Sequence, residues 1–352
     1  NTSGRDNVAI GNNALNTNTT SNSNVAVGSY SLFDNTAANN TAVGHQSLYE
    51  NTSGTRNTGT GAFVMANNTT GNDLTAVGYN ALSQNTTGVN NVAIGSGAAD
   101  ANTTGQAIVA IGKDAAGALQ SGGYTVAIGT EALLATTTGS QNIAVGHRAM
   151  KDNTTGYNNT AVGHTTMDAN TTGLENAAYG NHALGSNTTG GYNTAIGSNC
   201  LSNNTTASNN VAVGYASMTA NTTGYLNTAI GTSALGYNTT GNTNAALGAA
   251  TLARNTTGGS NTAVGYGAMF ETTTGSVNTA VGTYALYDNT TGQYNTCIGE
   301  ASLRKNTTAS HNSALGYRTL FENTTGVNNV AVGTQSLYNN TTGERNVGVG
   351  AN

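Results

Sequence analysis

Histidine and cysteine are the side chains of this chain best suited to hold a metal ion or to act as nucleophiles. The histidines are His45, His147, His164, His182 and His311. His147 and His164 lie 17 residues apart, but no carboxylate or thiol recurs with them at a spacing that would complete a set of metal ligands. The pattern predicts surface histidines, no metal or cofactor site and no catalytic residue.

Asparagine and threonine recur together as Asn-Thr-Thr or Asn-Thr-Ser, the acceptor sequence for N-linked glycosylation. Sixteen such sequons run from Asn18 to Asn340, and the candidate glycosylation sites are Asn18, Asn51 and Asn340. The competing interpretation is structural, because equivalent asparagines of stacked coils can form hydrogen-bonded ladders. Coils stacked about 4.8 Å apart would crowd a glycan on each of them, which favours the ladder.

Ranks of threonine can order water, as they do on the flat faces of ice-binding solenoids. Here the hydroxyl residues are adjacent in sequence, as in Thr52-Ser53 and Thr69-Thr70. Strand alternation then exposes one rank where a flat face requires two. Ice binding is therefore a third and less favoured interpretation.

Tyrosine is the aromatic residue that could stack on a sugar, and it occurs 16 times. Most of these tyrosines fall at variable positions, which predicts scattered single side chains and no cluster. A cell-surface glycan or receptor is kept as a partner that the tyrosines alone do not identify.

One repeat must position all of these residues. Glycine recurs every 17 residues from Gly11 to Gly350, with a single interval, Gly28 to Gly44, that is one residue short. Numbered from this glycine as position 1, the consensus is G-x-x-[AS]-[LM]-x-x-N-T-T-G-x-x-N-x-A-[VI]. A fixed short period predicts stacked units in place of a conventional globular core. The N-x-A-[VI]-G segment predicts a short strand, and N-T-T-G predicts a turn.

Stacking of the repeats would align two files of asparagine, at positions 8 and 14. The predicted ladder residues of the first file are Asn51, Asn68, Asn85, Asn153, Asn170, Asn187, Asn221, Asn238, Asn289, Asn323 and Asn340. The first file is interrupted by Leu119, Thr136 and Thr272, and the second by Leu74, Ile108 and Thr125. We expect amide-to-amide ladders in both files, least regular between Leu74 and Thr136.

The remaining positions divide between core and solvent. All 25 charged residues and all five histidines fall at six variable positions, which predicts that these face water. Alternation along the strand predicts that the Val or Ile of position 17 is buried with the Leu or Met of position 5. The Ala of position 16 would then face the other way and pack against a partner chain. Cys200 and Cys297 replace small residues and lie almost six repeats apart, roughly 28 Å at about 4.8 Å per coil, too far for a disulfide.

These observations predict an all-β fold, a left-handed parallel β-solenoid or β-roll of about twenty 17-residue coils. We interpret residues 1–352 as a single repeat domain taken from a longer fibre protein. One Leu or Met and one Val or Ile bury little apolar surface against the cost of ordering 17 backbones, which favours association, most simply a homotrimer. Charged residues are 7% of the chain and the net charge is -5, which argues against a nucleic-acid partner. No apolar run long enough for membrane insertion occurs.

The motif N-T-A-V-G-x-x-A-L-x-x-N-T-T-G, as in residues 278–292, resembles the repeat regions of bacteriophage tail-fibre and chaperone-carrying surface fibre proteins. Its A-[VI]-G-x-x-A core is similar to the head repeat of trimeric autotransporter adhesins, although the period there is shorter. The resemblance covers the whole chain. It implies a trimeric parallel β-roll with an extracellular location, on a virion fibre or a cell surface.

The function expected from this sequence is mechanical. Twenty near-copies of each residue argue against an enzyme, because an active site is a unique constellation. We expect the structural shaft or head of an extracellular fibre, a phage tail fibre or a cell-surface adhesin, that presents a distal binding tip. The alternative is a self-polymerising subunit of an extracellular matrix filament. In both cases the expected partner is the chain itself, as a homotrimer or an axial polymer.

Overall fold

The computed structural model describes residues 2–351 and forms two compact units, Asn1–Glu175 and Asn176–Asn352. The strands of the first unit are β1 (Val8–Ile10), β2 (Val25–Val27), β3 (Thr41–Val43), β4 (Thr58–Thr60), β5 (Thr75–Val77), β6 (Val92–Ile94), β7 (Ile108–Ile111), β8 (Thr125–Ile128), β9 (Ile143–Val145) and β10 (Thr160–Val162). The strands of the second unit are β11 (Ala177–Tyr179), β12 (Thr194–Ile196), β13 (Val211–Val213), β14 (Thr228–Ile230), β15 (Ala245–Leu247), β16 (Thr262–Val264), β17 (Thr279–Val281), β18 (Thr296–Ile298), β19 (Ser313–Leu315), β20 (Val330–Val332) and β21 (Val347–Val349). Between residues 2 and 351 the chain has no helix.

Within each unit, every strand pairs in parallel with the strand of the next repeat. In the first unit Val8 pairs with Val25, and in the second unit Ala177 pairs with Thr194. Partners are 17 residues apart, except across the short repeat, where Val25 pairs with Thr41. Each unit is therefore a parallel β-solenoid with one strand per coil, which confirms the predicted all-β fold class.

The corners of each coil require backbone conformations that the consensus did not reveal. Position 5, the buried Leu or Met, lies in the left-handed region, with φ of 52° at Leu48. Such a conformation is costly for a residue with a large side chain and persists only where packing determines it. Position 1 has φ near +135° as well, and a Cβ on Gly231 would lie 2.5 Å from the carbonyl oxygen of Gly248 in the next coil. The glycine period is thus set by close approach between successive coils.

The interior of the coil corrects the predicted orientation of the strand. Position 16 points inward, and Ala195 is fully buried, whereas the neighbouring Ile196 of position 17 is 42% exposed. A Cβ placed on Gly59, the same position in an earlier repeat, would lie 2.8 Å from Ser47 Oγ and 3.0 Å from Met65 Cε. Position 16 of the other coils holds a small buried side chain, such as Ala195 or Cys297, so the interior opposite positions 4 and 5 is narrow, and at Gly59 it is too narrow even for a methyl group without a shift of its neighbours.

Two expectations about burial were consequently wrong, and one was confirmed. Val or Ile of position 17 is not part of the core, and the Ala face does not lie open for a partner chain. The Leu or Met of position 5 is buried as predicted, for example Leu48, Met150 and Leu286, each 0% exposed. The core of a coil is thus one large side chain surrounded by alanine, serine and asparagine.

Candidate functional site

The asparagines of position 8 form a buried ladder of amide-to-amide hydrogen bonds in each unit. In the first unit, Asn68 Nδ2 donates to Asn51 Oδ1 at 2.7 Å, and in the second, Asn238 Nδ2 donates to Asn221 Oδ1 at 2.8 Å. The other amide hydrogen of Asn238 goes to the carbonyl oxygen of Gly241 at 3.0 Å. Every predicted ladder residue bonds to the equivalent residue of a neighbouring coil: Asn51, Asn68, Asn85, Asn153, Asn170, Asn187, Asn221, Asn238, Asn289, Asn323 and Asn340.

The asparagines of position 14 form a ladder of a different kind. The backbone N-H of Asn227 donates to Asn210 Oδ1 at 3.0 Å, and the amide-to-amide distance between the same residues is longer, 3.3 Å. Asn227 Nδ2 then donates to Gly241 O at 2.9 Å, the same carbonyl that receives Asn238 Nδ2. The second file is therefore a side-chain-to-backbone ladder, and the two files meet at the glycine of position 11.

The predicted interruptions lie where the sequence placed them, but they differ in hydrogen bonding. Thr136 accepts a hydrogen bond from Asn153 Nδ2 at 3.2 Å, so the ladder continues through its hydroxyl. Thr272 makes no equivalent contact. Asn255 Oδ1 and Thr272 Oγ1 are both buried without a hydrogen-bond partner. A buried polar atom without a partner costs free energy, so this coil holds a local defect.

The paired threonines of positions 9 and 10 have different environments. Thr69 Oγ1 donates to Thr86 O in the next coil at 3.0 Å, whereas its neighbour Thr70 is exposed. The same arrangement recurs at Thr256, whose Oγ1 donates to Thr273 O at 3.0 Å. The predicted alternation is thus observed, and in each unit one exposed rank of threonine, at position 10, runs beside the ladder of position 8.

The candidate glycosylation sites differ in accessibility. Asn18 and Asn51 are fully buried, and Asn51 Nδ2, the atom that would carry a glycan, donates to Asn35 Oδ1 and to Gly54 O. Asn340 is partly exposed, and its Nδ2 donates to Asn323 Oδ1 at 3.0 Å. In the folded chain the amides of Asn51 and Asn340 serve the ladder, whereas Asn18 Nδ2 donates to Ser21 O in its own turn at 3.1 Å.

The histidines and cysteines do not assemble a reactive centre. The rings of His147 and His164 stack at 5.2 Å, yet in residues 2–351 no group of three or more His, Cys, Asp or Glu side chains could hold a metal ion. Cys200 and Cys297 are free and buried. Burial raises the pKa of the Cys200 thiol to about 12 and raises the pKa of Cys297 as well, so both thiols stay protonated and unreactive.

Aromatic side chains cluster in both units, so the expectation of scattered single tyrosines was wrong: in the first unit Phe33 stacks on Tyr49 at 5.1 Å, and in the second unit aromatic side chains form a column. Phe270 stacks on Tyr287 at 5.2 Å, and Phe321 stacks on Tyr338 at 5.2 Å. The Arg304 guanidinium lies between them, 5.8 Å from the Tyr287 ring and 5.9 Å from the Phe321 ring. These five residues occupy position 6 of successive repeats, a signal visible only when phenylalanine and arginine are read with tyrosine. Stacking occupies most ring faces, so the column packs neighbouring coils together and leaves few faces open to a sugar.

The outward surface of the strands is the site that sequence reasoning missed. Positions 15 and 17 of each repeat point away from the coil, and together they form what we call the strand face. On β14 this face consists of Thr228 and Ile230, the latter 41% exposed, and on β18 of Thr296 and Ile298, the latter 42% exposed. No charged residue occurs at either position in any repeat. Each unit thus carries an apolar stripe with threonine hydroxyls beside it, and in the first unit Thr60 interrupts the stripe.

No protein-family model matches this chain, and no curated protein matches its sequence. In the described part of the chain no helix has the length and apolar character needed to cross a membrane.

Proposed function

We propose that this chain is the structural shaft or head of an extracellular fibre, a phage tail fibre or a cell-surface adhesin, that presents a distal binding tip. The observation that supports this most directly is the uniformity of the coil within each unit. The same ladders, the same glycine contact and the same buried Leu or Met recur from repeat to repeat. Such a structure distributes its stability along the chain, which suits a load-bearing element.

Self-association is part of this proposal. A coil whose interior holds one large side chain surrounded by small ones buries little apolar surface, while its strand face keeps Val and Ile side chains in water. Association of chains would cover those side chains, and we propose a homotrimer. The left-handed sense of the coil belongs to the same proposal.

Sedimentation equilibrium of the purified chain tests the proposal. The expected mass is three times the 35.2 kDa of one chain, with elongated particles of finite length in electron micrographs. Particles that grow without limit along one axis would favour the matrix filament instead. A compact monomer at every accessible concentration would contradict both the fibre and the filament.

A further inference from the structure

We propose that the strand face is the surface of this chain that a second copy of the chain covers. The inference rests on the self-association in the proposed function and names the surface that carries it. It replaces the alanine face, because the alanines fill the interior of their own coil.

The composition of the strand face sets it apart from the rest of the surface. In the second unit the residues of position 17 are Tyr179, Ile196, Val213, Ile230, Leu247, Val264, Val281, Ile298, Leu315, Val332 and Val349. Those of position 15 are Ala177, Thr194, Val211, Thr228, Ala245, Thr262, Thr279, Thr296, Ser313, Val330 and Val347. Depletion of charge is a mark of the centre of a protein interface, and here it holds for all strands.

The strand face of each unit is large for a surface patch. Eleven strands at about 4.8 Å, each three residues or roughly 10 Å long, give the second unit a face of roughly 500 Å². The ten strands of the first unit give a face of similar area. The largest apolar patch on a monomer is typically about 300–600 Å² and is often an interaction site, and the face of either unit lies in that range.

The periodicity of the face identifies its occupant. Side chains along it repeat with the spacing of hydrogen-bonded strands, so a second copy presents rows of the same spacing and can pack row against row, as two sheets do about 10 Å apart. A hollow of about 250 Å³ on this face, lined by Ile298, Leu315 and Val332 among others, can receive an apolar side chain from such a row. The face has no basic residue for a lipid headgroup.

Charge substitution on the face tests the assignment. The variant carries Ile196→Glu and Ile230→Glu, two outward residues that are 42% and 41% exposed in the single chain. The control carries Thr223→Glu and Thr257→Glu, at exposed positions outside the face. A carboxylate buried between apolar rows would weaken association by at least about a hundredfold, whereas the control should associate like the unmodified chain. Circular dichroism must show the same β-structure in all three proteins.

A labelling experiment gives an independent readout that does not depend on how the chains are oriented. Both native cysteines are buried and should not react with a maleimide, so a single introduced cysteine reports its own accessibility. Ile230→Cys should react at least about tenfold more slowly than Thr240→Cys in the associated protein, because an interface core is packed like a protein interior. Dilution to the monomer should remove the difference.

The outcomes separate the two proposals. If the unmodified chain associates but the face variant associates equally well and Ile230→Cys reacts as fast as Thr240→Cys, the strand-face assignment is wrong while the fibre proposal stands. If the unmodified chain stays monomeric, the self-association of the proposed function fails, and this inference fails with it. If the strand face binds lipid vesicles or a soluble glycan in place of a second copy, the assignment of a second copy as its occupant is wrong.

Discussion

Two regions of the chain solve the same structural problem with different residues. In the second unit, positions 8 and 14 are asparagine in most coils, and their amides bond from coil to coil. Between residues 108 and 136 of the first unit, the same positions hold Ile108, Leu119, Thr125 and Thr136, each 0% exposed. The strands there lengthen to four residues, β7 and β8. A coil can therefore close its corner with a polar ladder or with apolar packing.

The difference between these regions shows what the corner requires. At the apolar replacements, neighbouring polar atoms keep partners: the backbone N-H of Ile108 donates to Asn91 Oδ1, and the backbone N-H of Gly105 donates to Asn102 Oδ1, both at 3.0 Å. At Thr272, two buried oxygens, Asn255 Oδ1 and Thr272 Oγ1, are left without a hydrogen-bond partner. What matters is whether each buried polar atom finds a partner, and asparagine is one way to achieve that.

The largest expected effect tests what the two regions share. Gly112→Ala and Gly231→Ala each place a Cβ 2.5 Å from a carbonyl oxygen of the next coil, at φ of +135° and +138°. Each should lower the free energy of unfolding by about 4 kcal/mol or more, equally in both regions. Urea denaturation followed by circular dichroism measures this. A normal midpoint for either variant would show that the coils can separate enough to accept a methyl group.

The second prediction places an apolar residue in the polar ladder and an asparagine in the apolar corner. Asn238→Leu removes the donor to Asn221 Oδ1 and the acceptor of Asn255 Nδ2, so it should cost about 2–4 kcal/mol. Leu119→Asn restores an amide between Asn102 and Thr136, so lost burial and gained hydrogen bonds should nearly cancel, within about 1 kcal/mol. The same denaturation experiment compares them. Equal losses of unfolding free energy in the two variants would mean that the ladder hydrogen bonds add no stability beyond the packing of the side chains.

A smaller effect is expected at the defect in the second unit. Thr272→Asn supplies a donor to Asn255 Oδ1 and removes the buried hydroxyl without a partner, so it should stabilise the chain by about 1–2 kcal/mol. Thr272→Val removes the hydroxyl but leaves Asn255 without a donor, and should gain less. Hydrogen exchange of the amides of this coil and its neighbours would localise the gain. No change for Thr272→Asn would indicate that the local backbone does not admit the amide geometry.

Sequence reasoning reached the repeat, the strand, the ladder residues and the positions of the interruptions, because each leaves a residue type at a fixed position. It assigned the wrong face of the strand to the core. A small residue at position 16 suggests close packing against a partner outside the coil, whereas Leu or Met of its own coil fills that space, as the contacts around Gly59 show. Which side of a three-residue strand faces inward depends on the left-handed corners at positions such as Leu48, and these corners leave no residue-type signal. The strand face was missed for that reason.

The smallest predicted effect concerns two aspartates at variable positions, Asp100 in the first unit and Asp288 in the second. Burial, and then the nearby Asp114 carboxylate, raise the pKa of Asp100, whereas the raised pKa of Asp288 is caused by burial and partly offset by Arg304. A carboxyl whose pKa is higher in the folded state destabilises the fold fully above that pKa, and the penalty disappears as pH falls below its unfolded pKa. At pH 7, Asp100→Asn should therefore stabilise the chain by less than about 0.5 kcal/mol after solvent screening, and Asp288→Asn by less than that because it also removes a partner of Arg304. Thermal unfolding at pH 7 and at pH 3 tests both, since the gain for Asp100→Asn should vanish at the lower pH. A gain that persists at pH 3 would assign the effect to packing, and the charge environments of the two regions would then not differ in the way proposed.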